Sequence, residues 1–540
     1  MIKIITNVTI LILSTNFLFA QSVETGNRHL YYERYQSALS SFQQAVKADA
    51  QNEEAWYGLA KTYLLLNNPA EASANLRLAP VSVQDDPYYK VAYGTIALMQ
   101  NNRTQAEDYF NQSLKDTREK NPAILSAVAW AHEHADNGDV NYAVELLNKA
   151  IKRDKHNAQL LIQLGDAWRK LGNSTEGYKA YHNAIEENGN SALAYYRMGE
   201  IFLSQKNRDL YVDYFKKALE ADPAFSPAAY KLYVYEFNRH PQKAKEYYEK
   251  YLANTDLSIQ NEYDMVDLLY LTNRYDSAIS SAKKIIEKQV DDVKPRLYKL
   301  IGYSLAGNKD TVTAISYIRR YFIAEADSNI ISKDYEIMAD LYASAPGKED
   351  SAMIYYRKAA ETEQNQETLY GYYKKLANLA KERKDYVAQA EWLGKYYANN
   401  DKATNLDLFN WGIALYRTEN YVSADSVFGL YVVKFPDQTF GYYWQARSKS
   451  LQDKEMKEGL AVPAYEKLVE VLQKDTLNTN YKKWIIEAYG YLATYEANAE
   501  KDYNEAISYF QQILELDPEN ETVKKNIEML SKEVAEKGSK

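Results

Sequence analysis

Small residues recur along the chain with a step of about 34, the signature of stacked helix-turn-helix units. Ala38, Ala72 and Ala106 stand in near-identical settings, and the beat continues at Ala143, Gly177, Tyr211, Ala244, Ala278, Ala314, Ala352, Ala388, Ala424, Ala464 and Ala506. Four residues beyond most of these comes a large apolar residue: Phe42, Leu76, Phe110, Leu147, Tyr181, Phe215, Tyr248, Tyr356, Trp392, Phe428, Leu468 and Phe510. That spacing puts both on one helical face. In the first half a second small residue follows three positions later, at Ala45, Ala79, Ser113, Ala150, Ala184 and Ala218. A small, large, small stripe lets one helix lie close against another, the large side chain filling the gap. The preceding helix of each unit carries its own small residue at the crossing, as in Gly26, Ala60, Gly94, Ala131, Gly165, Gly199, Gly302 and Gly412. Between the stripes the chain is rich in Lys and Glu, the pattern of solvated helix faces. The expectation is a solenoid of helix pairs.

The residues resemble the tetratricopeptide repeat family. Residues 195–223 match its pattern at Tyr195, Met198, Gly199, Phe202, Phe215, Ala218 and Pro223, with Tyr211 departing where a small residue is expected. Residues 408–436 match through Trp411, Gly412, Tyr421, Ala424, Phe428 and Pro436, and Pro223, Pro436 and Pro518 each close a unit because proline cannot extend a helix. The resemblance implies an all-α fold, a right-handed α-solenoid of about fourteen tandem helix-turn-helix units. It covers nearly all of the chain.

The array divides by regularity. Residues 21–256 hold regular repeats, 257–330 divergent ones in which Ala282 and Ile318 replace the aromatic, and 331–520 repeats with lengthened turns, including an insertion at Lys454 to Pro463. In the later units the second small position becomes Tyr251, Ile285, Tyr321 and Tyr431. Residues 521–540 carry a thin apolar stripe, Val523, Ile527, Leu530 and Val534, suited to a C-terminal capping helix. Residues 1–20 break the pattern: Lys3, an apolar stretch from Ile4 to Phe19 and then Ala20-Gln21 read as a signal peptide cleaved after Ala20. The Ala-Gln site is similar to those of Gram-negative envelope proteins, so the mature chain is expected in the periplasm.

Composition narrows the function. The net charge of −9 argues against nucleic acid and against docking on anionic lipid, so membrane contact is expected only indirectly. The chain has no cysteine, which removes thiol chemistry, disulfides and a lipid anchor at a cleavage-site cysteine. Tyrosine is abundant at 51 residues, often in doublets such as Tyr31-Tyr32, Tyr88-Tyr89, Tyr195-Tyr196, Tyr247-Tyr248, Tyr355-Tyr356 and Tyr372-Tyr373. Packing accounts for a doublet if one ring enters the core and the other lies at the rim. A tyrosine-lined groove for an extended peptide or a glycan is the alternative.

No catalytic constellation, phosphate-cradling loop or dinucleotide fingerprint is present, and no metal or cofactor is expected. His132-Glu133-His134 is the one histidine cluster. Residues two apart project to different sides of a helix, so the triplet reads as a solvated face rather than a metal site. The resemblance implies a concave face lined by the first helix of each unit. Its inward positions, carried over from the family, are Tyr57, Lys61, Asp166, Arg169, Tyr196, Glu200, Lys299, Tyr303, Phe409 and Tyr416. The family's clamp of Lys, Asn and Arg on a terminal carboxylate has no counterpart among them. The function expected is a non-catalytic exported scaffold that binds envelope proteins or extended peptides through its concave face. A glycan- or peptidoglycan-binding solenoid is the alternative, and partner contacts are expected first in the irregular second half.

Overall fold

The computed structural model describes residues 23–289, 292–398, 400–474, 477 and 480–538; the signal-peptide reading of residues 1–20 lies outside them. Among the described residues there is helix and no strand. The chain forms two compact units, residues 1–293 and 294–540. The boundary falls in the segment where Ala282 and Ile318 weaken the large position. Among the described residues the first unit holds eight helix pairs, from 23–31 with Tyr35–Ala48 to Ile259–Leu271 with Tyr275–Lys288. The second holds six, from Arg296–Gly307 with Thr311–Ala324 to Tyr481–Tyr495 with Tyr503–Leu516, followed by the final helix Glu521–Gly538. Val523 and Leu530 of that last helix are buried against the preceding pair.

The stripe does the packing expected of it. Ala38, Ala72, Ala106, Ala143, Ala244, Ala278, Ala314, Ala352, Ala424 and Ala506 are fully buried, as are Phe42, Tyr181, Tyr248 and Phe428. Each crossing glycine stands sixteen residues before the ring it meets. A Cβ added at Gly26, Gly94, Gly199 or Gly412 would come within 2.7 Å of Phe42, Phe110, Phe215 or Phe428 respectively. Only a glycine lets the ring lie flat on the helix backbone there. The beat slips at Ala388 and Ala464, which are half-buried while Gln389 and Tyr465 take the buried place. Both follow lengthened segments, the 17-residue helix Gln366–Glu382 and the insertion before Val462.

The turn inside a pair is tight and repeats. A residue in the left-handed region ends the first helix, and the next side chain caps the second. Asn67-Asn68, Asn101-Asn102, Lys206-Asn207 and Glu419-Asn420 follow this rule, with φ between 56 and 63° at the first residue and the asparagine accepting from the backbone at the helix start. The six tyrosine doublets named above all split as the packing reading requires, one ring buried and its neighbour half-buried.

The first unit also curls onto itself. Its first pair packs against the links that flank its seventh pair, Pro241–Leu252 and its partner helix Ser226–Glu236. Tyr32 Oη donates to Asp222 at 2.8 Å, Ser226 Oγ donates to the carbonyl of Tyr32 at 3.2 Å, and the Tyr31 and Tyr32 rings meet Phe225. Nothing in a 34-residue repeat encodes that closure, because it joins residues nearly 200 positions apart.

Candidate functional site

In the first unit the helix Glu53–Leu65 is started by Asn52, whose side chain accepts from the Ala55 N–H at 2.9 Å. Tyr57 and Lys61, four residues apart, share its inner face. The Tyr57 ring lies 5.1 Å from that of Tyr88, and the Lys61 ammonium sits 4.8 Å over Trp130. Trp130 has its other partner in His134, stacked at 4.2 Å. Lys61 has no ion pair among the described residues, and the buried Tyr57 hydroxyl has no hydrogen-bond partner.

Two cavities meet around this point. One, of about 480 Å3, is lined by Tyr57, Lys61, Tyr88 and Trp130 with Asn121 and Asn157. The other, of about 450 Å3, is lined by Lys61, Trp130, Glu133, Asp166 and Arg197, and is walled on one side by Tyr31 and Glu33 of the first pair. The curl of the unit is what encloses it. Burial dominates the titration of this interior: it pushes the Glu133 carboxyl up to about 8, with Asp166 adding to the rise, and pulls Lys61 down to about 8.

Beside the cavities lies an ion network whose charges pair with one another. Arg169 and Arg197 both donate to Glu200, at 3.1 and 2.9 Å, while Arg197 Nε lies 3.1 Å from Asp166 and Tyr181 Oη donates to Asp166 at 2.6 Å. Burial works against the Arg197 charge, but Asp166 and Glu200 outweigh it and the guanidinium is held charged. Tyr196 is 4% exposed and packs with Phe215 and Phe225. Of the six positions named in this unit, Tyr57, Lys61 and Asp166 therefore line cavities, Arg169 and Glu200 serve the network, and Tyr196 belongs to the core.

The second unit treats its four positions differently. Lys299 pairs at 2.6 Å with Asp334, which is fully buried. Asp334 also accepts from Tyr303, from Tyr321 Oη at 3.1 Å and from the Ile331 N–H at 3.0 Å, so it caps its own helix and ties two others to it. Phe409 packs against Phe428 and Phe440, and Tyr416 against Tyr421 and Trp444. Lys299 and Tyr303 form one cluster and Phe409 and Tyr416 contribute to another.

Sequence reasoning missed Trp130, Glu133, His134, Gln163 and Arg197. The solvated face assigned to His132-Glu133-His134 is corrected at two of its three residues: His132 and Glu133 are 6% and 5% exposed, while His134 is exposed. His132 turns to Phe110 and Tyr142, His134 turns to Trp130, and Gln163 donates to Glu133 at 3.1 Å. The signal lay in the helix Pro122–His134, apolar all round its circumference, which marks a helix covered on both sides. Among the described residues no group of three or more His, Cys, Asp or Glu side chains could hold a metal ion.

Comparison with known proteins follows this geometry. Models of the tetratricopeptide repeat match residues 29–93, 128–181, 192–225 and 491–520. The chain is similar to DnaJ homolog subfamily C member 3 of Gallus gallus, 21% identical over 267 residues that make up 45% of this chain and 52% of that protein. It is also similar to BBSome complex member BBS4 of Bos taurus, 26% identical over 195 residues, 35% of this chain and 36% of the other. The chain thus spans about half or less of these relatives. Among solved structures, the C-terminal part of a repeat-containing protein from Cytophaga hutchinsonii is 26% identical and covers 49% of this chain and 99% of its own, with a TM-score of 0.30.

Proposed function

From the premise that the chain is a tetratricopeptide repeat protein, we propose that it is a non-catalytic binding scaffold of the cell envelope that holds an extended segment of a partner protein in the interior of its first unit. One observation carries the proposal. Tyr57 and Lys61 present two donors on one face, one without a hydrogen-bond partner and the other without an ion pair among the described residues, at the junction of two cavities. Unspent donors in a concave, partly apolar site are the usual mark of a binding position, because such groups cost free energy until a ligand meets them. The neighbouring network of Asp166, Arg169, Arg197 and Glu200 has spent its charges internally. The same holds for Lys299 with Asp334 in the second unit, so the first unit, rather than the irregular second half, is where this reading places recognition.

The cavity volumes admit a chain segment and not a folded domain. Glycan recognition is less favoured here, since both faces of Trp130, the largest ring lining the two cavities, are taken by Lys61 and His134. The bovine relative is by name a member of a complex, which accords with a scaffold. Export rests on Lys3, the apolar stretch and Ala20, and N-terminal sequencing of the native protein tests it: a first residue of Gln21 is expected, and retention of Met1 would overturn it. Binding is tested by purifying the chain from its native envelope under mild crosslinking, beside a Lys61→Ala variant. Recovery of a protein partner that the variant loses is expected; equal recovery by both would sink the assignment.

A further inference from the structure

The chain carries a net charge of −9, yet one concavity on its surface reverses that sign. It has a volume of about 630 Å3 and opens between the helices Arg103–Asp116 and Val140–Arg153, the second helices of the third and fourth pairs. Lys115, Arg118, Lys149, Lys152 and Arg153 line it against a single carboxylate, Glu119. Lys149 donates to Glu119 at 2.8 Å; the other four cations have no ion pair among the described residues and are exposed. Tyr142 lines the same concavity. Its ring is half-buried, edge-on to His132 at 5.3 Å, and burial pushes the phenol up, so the hydroxyl stays protonated as a donor.

Basic residues in the last turn of a helix complement its dipole, and that explains Lys115, Lys152 and Arg153 one at a time. It does not explain Arg118, which lies in the link beyond the helix, or why the cations of two helices converge on one hollow. Four uncompensated cations held together repel one another, a cost that an anion removes.

We propose that this concavity is a binding site for a compact polyanion bearing phosphoryl or sulfo groups. Its volume lies in the range of small-molecule sites, about 300–1,000 Å3. The five cations are complementary to several negative charges carried on a small body, and Arg118 and Arg153 add the planar donor geometry that suits such oxyanions. A flat lipid surface would reach only the rim, and a duplex needs a longer basic stripe than two helix ends supply.

Calorimetry of the full chain with inorganic pyrophosphate at low ionic strength tests the site, with orthophosphate as the less charged comparator. One site is expected, tighter for pyrophosphate, weakening steeply as salt is added. The double variant Lys152→Glu, Arg153→Glu should lose affinity by about 30-fold, about 2 kcal/mol at 1.36 kcal/mol per tenfold, while its melting temperature falls by only a few degrees, because both residues are exposed and give up only their complement to the helix dipole. Tyr142→Phe should weaken binding less. Absence of binding, or equal binding by the double variant, would overturn the site. So would association with vesicles of phosphatidylglycerol and phosphatidylcholine that pyrophosphate does not displace, which would assign the cations to a membrane instead.

Discussion

Arg34 donates through Nε to the backbone carbonyl of Asn254, 220 residues further along the chain, at 2.6 Å. The link beside it does more than hold a side chain. The helix Tyr35–Ala48 begins at Arg34, which has no oxygen to offer the first N–H groups, and Asp256 supplies the missing cap from across the unit: it accepts from the N–H of Gln36 at 2.7 Å and of Ser37 at 3.3 Å. A carboxylate at a helix N-terminus also meets the positive end of the helix dipole. The curl of the first unit is thus stabilised by a cap borrowed over long range.

Replacing Asp256 by alanine removes that cap, at a cost of about 1 kcal/mol. Hydrogen exchange should show faster opening of residues 23–48 while the helix Ser174–Glu187 keeps its protection. Uniform loosening of the whole unit would contradict a local latch.

Gly199 crosses Phe215 so closely that a Cβ would lie 2.6 Å from the ring. Gly199→Ala would gain about 1 kcal/mol from helix propensity alone, but overpacking against a buried ring costs about 1–3 kcal/mol. The net prediction is a lower melting temperature. A rise would mean that the Phe215 ring moves freely.

Glu133 gives the first unit an unusual dependence on pH. Its folded carboxyl titrates near 8, above the ordinary value of 4.5, so the folded state keeps a proton that the unfolded state has released. Stability from this group is fully present below pH 4.5 and is lost as pH rises toward 8. Lys61 acts at the upper edge: its folded value near 8 lies below 10.5, so its penalty is present below pH 8 and is relieved as pH rises from there. Glu133→Gln keeps the bond to Gln163 in shape and abolishes the first effect. Its melting temperature should exceed that of the parent at pH 8 by several degrees, about 2–4 °C per kcal/mol for a body of this size, and the two should converge at pH 4.5. Parallel curves would refute the assignment.

Asp334 collects Lys299, two tyrosine hydroxyls and one backbone N–H in the second unit. Asp334→Asn leaves the ammonium without its counter-charge, and breaking a buried pair from one side costs about 3 kcal/mol. Urea unfolding should show the loss in the second unit; Lys299→Met combined with it should recover part of the stability.

The short-range grammar was legible because it repeats. Gly199 and Phe215, or Tyr195 and Tyr196, obey rules of spacing that any one unit displays. What escaped was set by closure. Asp256 lies 219 residues from the helix it caps, and no periodic pattern relates the two. For the same reason Tyr196 and Glu133 looked like groove and surface in the sequence and are interior in the fold: the first pair of helices covers them. Only the apolar circumference of Pro122–His134 hinted at the cover.

The interior around Tyr57 and Lys61 is proposed to take up a segment of another protein. A photoreactive amino acid at Glu54, exposed and lining the same cavity as Tyr57, tests it in the native envelope. A crosslink to one protein is expected, mapped to a continuous stretch of its chain and abolished by Lys61→Ala. No protein adduct, or an adduct indifferent to Lys61→Ala, would contradict it.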